Sequence, residues 1–148
     1  VSVSFRTARR EDVPAILAML DDDPVAAARE SVEGTDVMAA FEAIDADPRN
    51  ELIVAEEDGQ VVGTFQLTFI PGLSRRGAER AQIEAVRVAT PHRNRGVGRR
   101  MMEWAVERAR ERGCRLVQLT TDKVRHDAHR FYASLGFTAT HEGFKLRL

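Results

Sequence analysis

The residues whose types and spacing could do chemistry are a run of arginines and glycines, one strand carboxylate and one tyrosine. Arg93-Asn94-Arg95-Gly96-Val97-Gly98 follows an apolar stretch, Val86-Arg87-Val88, and opens a helical pattern. The first N–H groups of a helix have no internal partner, and the helix dipole favours an anion beside them. Gly96 lets the backbone approach a ligand, Gly98 keeps the next turn free of bulk, and Arg93, Arg95 and Arg99 supply charge-assisted donors. That combination suits a pyrophosphate. A solvated basic cap would explain the arginines but not two glycines directly after a strand. Rival phosphate loops fit less well: no Gly-Lys-Ser or Gly-Lys-Thr is present, and the third glycine of a dinucleotide fingerprint is replaced by Met101.

Glu84 interrupts the otherwise buried strand pattern Ile83-Glu84-Ala85-Val86 two residues before that apolar contact region. A carboxylate there is costly unless it faces a polar cleft, and partial burial would raise its proton affinity toward that of a useful base. An alkyl amine has a pKa of about 10.4 and attacks an acyl group only after losing a proton. Pairing with Arg87 or Arg80 is the plain alternative for Glu84. Tyr132 is the only tyrosine; packing beside Phe131 would explain its ring but gives no reason for a hydroxyl.

The segment Asp127-Ala128-His129-Arg130-Phe131-Tyr132-Ala133-Ser134-Leu135-Gly136-Phe137 closes a helix on a glycine. With Arg93-Asn94-Arg95-Gly96-Val97-Gly98, which satisfies the pattern Gln or Arg, two residues, Gly, one residue, Gly or Ala, it resembles the GNAT superfamily of acyl-CoA-dependent N-acyltransferases. The resemblance implies acetyl-CoA as donor. The backbone of Val86, Arg87 and Val88 would meet the pantetheine arm, and Arg93, Asn94, Arg95, Gly96, Val97, Gly98 and Arg99 would clamp the pyrophosphate. Glu84 would act as base, directly or through water, and Tyr132 would protonate the departing thiolate or hold its sulfur. Arg125 stands where many relatives carry Asn; it would reach cofactor phosphates or an acidic substrate group, or be a solvated helix-start residue. Arg130 is a candidate for the adenosine 3'-phosphate. The implied reaction is direct transfer of an acetyl group to a primary amine of a small molecule in a ternary complex. A protein or peptide N-acetyltransferase and a non-catalytic acyl-CoA-binding regulatory module are the alternatives.

The elements that must position these residues follow from periodicity. Val1 to Thr7 alternates as a strand, and Asp12 with Pro14 opens a helix through Leu20. Asp21 to Asn50 is acidic, with a helix at Asp36 to Ala46, and reads as a wall or lid. Leu52–Glu56 and Val61–Phe69 form a hairpin about Asp58-Gly59. A turn-rich loop at 70–77 precedes a central strand, Ala81–Ala89. Val97, Met101, Ala105 and Ala109 then recur at helical spacing up to Gly113. Leu116–Leu119 is a short strand, Val124–Leu135 a helix and Phe137–Leu148 a closing strand or hairpin. This is an α/β fold, three layers with a central mixed sheet flanked by helices, in one domain over residues 1–148.

A formal charge of -1 over 148 residues gives no global attraction to nucleic acid. The lone Cys114 excludes an internal disulfide and reads as a small buried apolar residue. His92, His126, His129 and His141 show no convergent three-ligand spacing, so no metal is expected. No apolar stretch approaches a membrane span and no leader pattern opens the chain, so a cytoplasmic protein is the expectation, with a homodimer through the terminal strands among its options.

Overall fold

A computed structural model describes residues 2–22 and 36–148. The expectation of a wall or lid falls partly on residues 23–35, outside the described residues. Contacts divide the chain into two compact units, Val1–Gln118 and Leu119–Leu148.

The first unit is built on a five-stranded sheet in the order β1-β2-β3-β4-β5: Ser4–Thr7, Asn50–Glu57, Gln60–Ile70, Arg80–Val88 and Leu116–Leu119. The first three pairings are antiparallel. Helix α3, Val97–Arg112, crosses from β4 to β5 and makes the sheet mixed. The β2–β3 hairpin turns on Asp58 and Gly59, with φ of 53° and 77°, the paired left-handed geometry that matches strand twist.

Register assigns the two faces. Asn50, Leu52 and Val54 lie opposite Thr68, Gln66 and Thr64, whereas Glu51, Ile53 and Ala55 lie opposite Leu67, Phe65 and Gly63. Over the first face pack α1, Val13–Asp21, and α2, Val37–Ala46, whose Val13, Ile16 and Phe41 join Ala8 and Val54 in a core cluster. Asp36 caps α2 by accepting from the N–H groups of Met38 and Ala39.

Helix α3 covers the opposite face with Met101, Met102, Ala105 and Ala109, all buried. Its approach is close: a Cβ on Gly63 would lie 2.7 Å from the Met101 sulfur. Trp104 stacks on Phe5 at 5.6 Å and meets Phe65 edge-on at 6.0 Å. Toward its C-terminus, Arg108 and Arg112 lie 5.6 and 4.2 Å from the Phe69 ring centroid while pairing with Glu51 and Glu79 at 2.7 Å each. The helix ends at Gly113, φ 87°.

Asp12 does not cap α1. Its carboxylate turns back to accept from both terminal nitrogens of Arg6 at 2.7 and 2.9 Å and from the Arg9 N–H at 2.6 Å, after a single 3-10 turn at Arg10–Asp12. Arg6 also pairs with Glu56. The Arg6 guanidinium holds the Asp12 carboxyl below its ordinary range despite burial, which pushes the other way. Cys114 is half-buried, and desolvation, followed by the Glu79 charge, pushes its thiol up, so it is a poor nucleophile.

In the second unit, α4 spans His126–Ser134 and ends on Gly136, φ 95°. The closing strand expected over Phe137–Leu148 is absent among the described residues. Phe144, Leu146 and Leu148 keep the strand period, but no ladder partner satisfies their backbone, and all three side chains are exposed. Among the described residues no helix is long and apolar enough to cross a membrane.

Candidate active site

Strand β4 carries a feature that the alternation of its side chains conceals. Thr64 pairs with Arg87 and Gln66 with Glu84, so Phe65 alone faces both Ala85 and Val86. This is a β-bulge, and Ala85 occupies it with φ 55°. A non-glycine residue in that region costs about 1–2 kcal/mol, and bulges commonly re-aim side chains beside functional sites.

Directly before the bulge stands Glu84. It is exposed, not partly buried as its strand context implied, because the face that it shares with Gln66 is open at this end of the sheet. Its Oε1 lies 3.4 Å from the Thr68 hydroxyl. A solvent-reachable carboxylate at a bulge is available to take a proton from an incoming amine.

Beyond the bulge, the carbonyls of Val86 and Val88 both accept from guanidinium groups. Arg87 folds back to its neighbour Val86 at 2.8 Å, and Arg93 Nε reaches Val88 at 3.0 Å. Residues two apart point the same way along a strand. Two consecutive acceptor positions on one edge of β4 are therefore occupied by side-chain donors.

The turn follows. Asn94 at φ 61° and Gly96 at φ 85° reverse the chain into α3, with Gly96 as its left-handed N-cap. Nothing lies within 4 Å of where a Gly96 Cβ would project. The glycine is needed for its backbone angle, and the space above the amide groups is open, as an approach of the backbone to a ligand requires. Val97 is buried and anchors the helix start, while Gly98 is half-buried.

Arg95 does not stand free over the turn. It donates to Glu57 Oε1 at 3.1 Å and to His92 Nδ1 at 3.2 Å. Glu57, from the end of β2, escaped the sequence reading because nothing local links it to a turn 38 residues away. Its Oε2 is buried, without a hydrogen bond, 3.9 Å from His92 Nδ1. Arg99 is exposed on the first turn of α3.

In the C-terminal unit Tyr132 lies edge-on to Phe131 at 5.2 Å and to Phe137 at 5.9 Å, and its carbonyl accepts from the Leu135 and Phe137 N–H groups. The ring does pack, as the plain alternative had it. Arg125 occupies the N-cap position of α4. Arg130 pairs with Asp127 one turn back.

The acetyltransferase (GNAT) family profile aligns with residues 10–137. The chain belongs to the GNAT acetyltransferase family. This GNAT chain is 45% identical to a transcriptional regulator from Bacillus halodurans C-125, with a TM-score of 0.92 over 99% of this chain and 100% of the other. It is 34% identical over 98 residues to the aminoalkylphosphonate N-acetyltransferase of Salmonella typhimurium, a match covering 66% of this chain and 63% of that protein. Matches to mammalian N-acetyltransferase 8 proteins span 40% of their length. A Clostridium acetobutylicum structure described as a predicted acetyltransferase with acetyl-CoA shares the fold at a TM-score of 0.73 and 20% identity, covering 99% of this GNAT chain and 96% of its own.

Proposed function

We propose that the protein transfers the acetyl group of acetyl-CoA to a primary amine of a small molecule, by direct attack in a ternary complex. The observation that carries this reading is the open left-handed turn at Gly96, set at the head of α3 directly after the bulge that presents Glu84. The turn supplies amide groups and a helix dipole to a diphosphate, and the edge of β4 supplies acceptors to the pantetheine amides.

In the proposed step Glu84 takes a proton from the ammonium group. The free amine's lone pair then forms the C–N bond as the C–S bond breaks; Tyr132, by resemblance, gives its proton to the leaving thiolate, and the second proton that the acylated nitrogen sheds restores the phenol. The products are an acetamide and coenzyme A. Holding amine and thioester together provides most of the acceleration. Activity on a small amine carrying an acidic group, named for the Salmonella relative, supports a small acceptor.

The likeness to a Bacillus transcriptional regulator favours a second reading, an acyl-CoA-binding regulatory module without turnover. One experiment separates the two. Coenzyme A release is measured from acetyl-CoA with small amines, polyamines, amino acids and basic peptides, for the natural protein, Glu84→Gln and Tyr132→Phe. Amine-dependent release that falls at least 100-fold in Glu84→Gln, with acetyl-CoA binding retained, upholds transfer. Tight acetyl-CoA binding with no release across the panel overturns it in favour of the regulatory module.

A further inference from the structure

We infer that the polar side chains beside Glu84 on the open sheet face form the acceptor's binding floor, and that this floor selects an amine bearing several hydroxyl or amide groups over a polycationic amine. The inference rests on the N-acetyl transfer reading and names its acceptor class.

The floor is a row that crosses four strands. Asn50 lies opposite Thr68, and Thr68 opposite Gln82; Gln66 lies opposite Glu84. Gln118 of β5 joins by donating from Nε2 to Gln82 Oε1 at 2.9 Å. At about 4.8 Å per strand the row is about 14 Å long, the span of a two-ring molecule. Toward β1 and β2 the same face carries Leu52 and Val54, which pack with α1 and α2. The change from apolar to polar coincides with the start of solvent exposure: Gln66, Thr68, Gln82 and Gln118 are all half-exposed.

Hydrogen bonds fix how the row faces outward. Asn50 Nδ2 donates to Asp47 Oδ2 at 2.8 Å, which orients the amide, and Asn50 Oδ1 then accepts from Gln66 Nε2 at 3.0 Å and from Thr68 Oγ1 at 2.8 Å. The remaining capacity among the described residues alternates: Gln66 presents a carbonyl oxygen, Gln82 an NH2 group and Gln118 another carbonyl oxygen. Hydroxyl groups, which both donate and accept, match an alternating row; a methylene chain matches none of it.

Charge points the same way. Glu84 is the carboxylate beside the polar row's centre and suffices for a single ammonium; the other carboxylate in contact with the row, Asp47 at the β2 end, is already engaged by Asn50 and by the Arg49 N–H. Arg80 stands on the same face beyond Gln82, opposite Ile70, and repels further positive charge on the acceptor. A site that binds polar groups rejects analogues that lack them, since its own donors and acceptors are then left unpaired.

The test measures binding in the presence of coenzyme A for three probes: glucosamine, cyclohexylamine as the same ring without hydroxyls, and spermidine. Acetylation is followed in parallel. Glucosamine is expected to bind at least tenfold tighter than either other probe, and Gln82→Leu to remove that preference, with Gln118→Leu as an independent second variant and coenzyme A binding as the control for folding. Spermidine or cyclohexylamine binding as tightly as glucosamine, or a preference that survives both variants, overturns the inference. Selective glucosamine binding without acetylation upholds the floor and counts against transfer, so the two failures are distinguishable.

Discussion

The Glu57 carboxylate lies 3.1 Å from the Arg95 guanidinium across 38 residues of chain, placing a negative charge beneath a turn suited to an anion. Replacing Glu57 by Gln keeps an oxygen that can accept from Arg95 and removes the charge that opposes a phosphate. Coenzyme A is expected to bind about three- to fivefold tighter, on the order of 0.5–1 kcal/mol, with a steeper salt dependence. Calorimetric titration at two ionic strengths checks this; weaker binding would show that the carboxylate serves the turn by holding Arg95 in place.

Ala85 holds the bulge at φ 55°. Ala85→Gly should be neutral or stabilising by up to about 1 kcal/mol, because glycine adopts this angle without the Cβ penalty. Ala85→Val, a β-branched residue in the same angle, should destabilise by about 2 kcal/mol. Denaturant unfolding of both variants measures the difference, and equal stabilities would remove the bulge as the source of strain.

Glycines 63 and 96 make contrasting demands. Gly63→Ala drives a methyl group to 2.7 Å from the Met101 sulfur and 3.3 Å from the Arg87 carbonyl; a loss of about 1–3 kcal/mol is expected from overpacking. Gly96→Ala meets no protein atom but must hold φ 85°, so about 1 kcal/mol of stability is lost, together with coenzyme A affinity. Thermal unfolding with and without coenzyme A separates them: only the Gly96 variant should lose ligand-induced stabilisation.

Part of the acid sensitivity should trace to Asp12, together with Glu79 and Asp47, whose carboxyls the Arg112 side chain and the Arg49 N–H also hold low. The Asp12 carboxyl is held below the ordinary range by Arg6, so its contribution is fully present above the unfolded-state pKa and is lost as pH falls through the lower folded-state value. Asp12→Asn should cost about 2–3 kcal/mol near neutrality and make the stability curve less steep below pH of about 4. Urea midpoints across that range provide the measurement, and a parallel fall in both proteins would assign the acid loss elsewhere.

Local signals carried most of the fold. Asp58-Gly59, Gly113 and the Met101-Ala105-Ala109 stripe each fix an element through neighbouring residues alone, and Leu116–Leu119 and Asp36–Ala46 were legible for the same reason. What was not legible depends on distant pairing. The Ala85 bulge is defined only against Phe65, Glu57 reaches the turn only because β2 ends beside it, and the exposure of Glu84 is a property of the assembled sheet face and not of its strand neighbours. Phe144, Leu146 and Leu148 have the period of a strand, but period specifies a side-chain pattern and not a partner.

The clamp of Arg108 and Arg112 on Phe69, each arginine anchored by its own glutamate, bears on the opposite end of the same helix. Helix α3 has 16 residues, about 24 Å of nearly rigid rod. Fastened at its tail to two different strands and seated along its length on Gly63, it cannot roll or slide without breaking all of these contacts together. Its leading amide groups are therefore held in one orientation, so a ligand that met them, as proposed for a diphosphate, would give up little further entropy of that segment on binding.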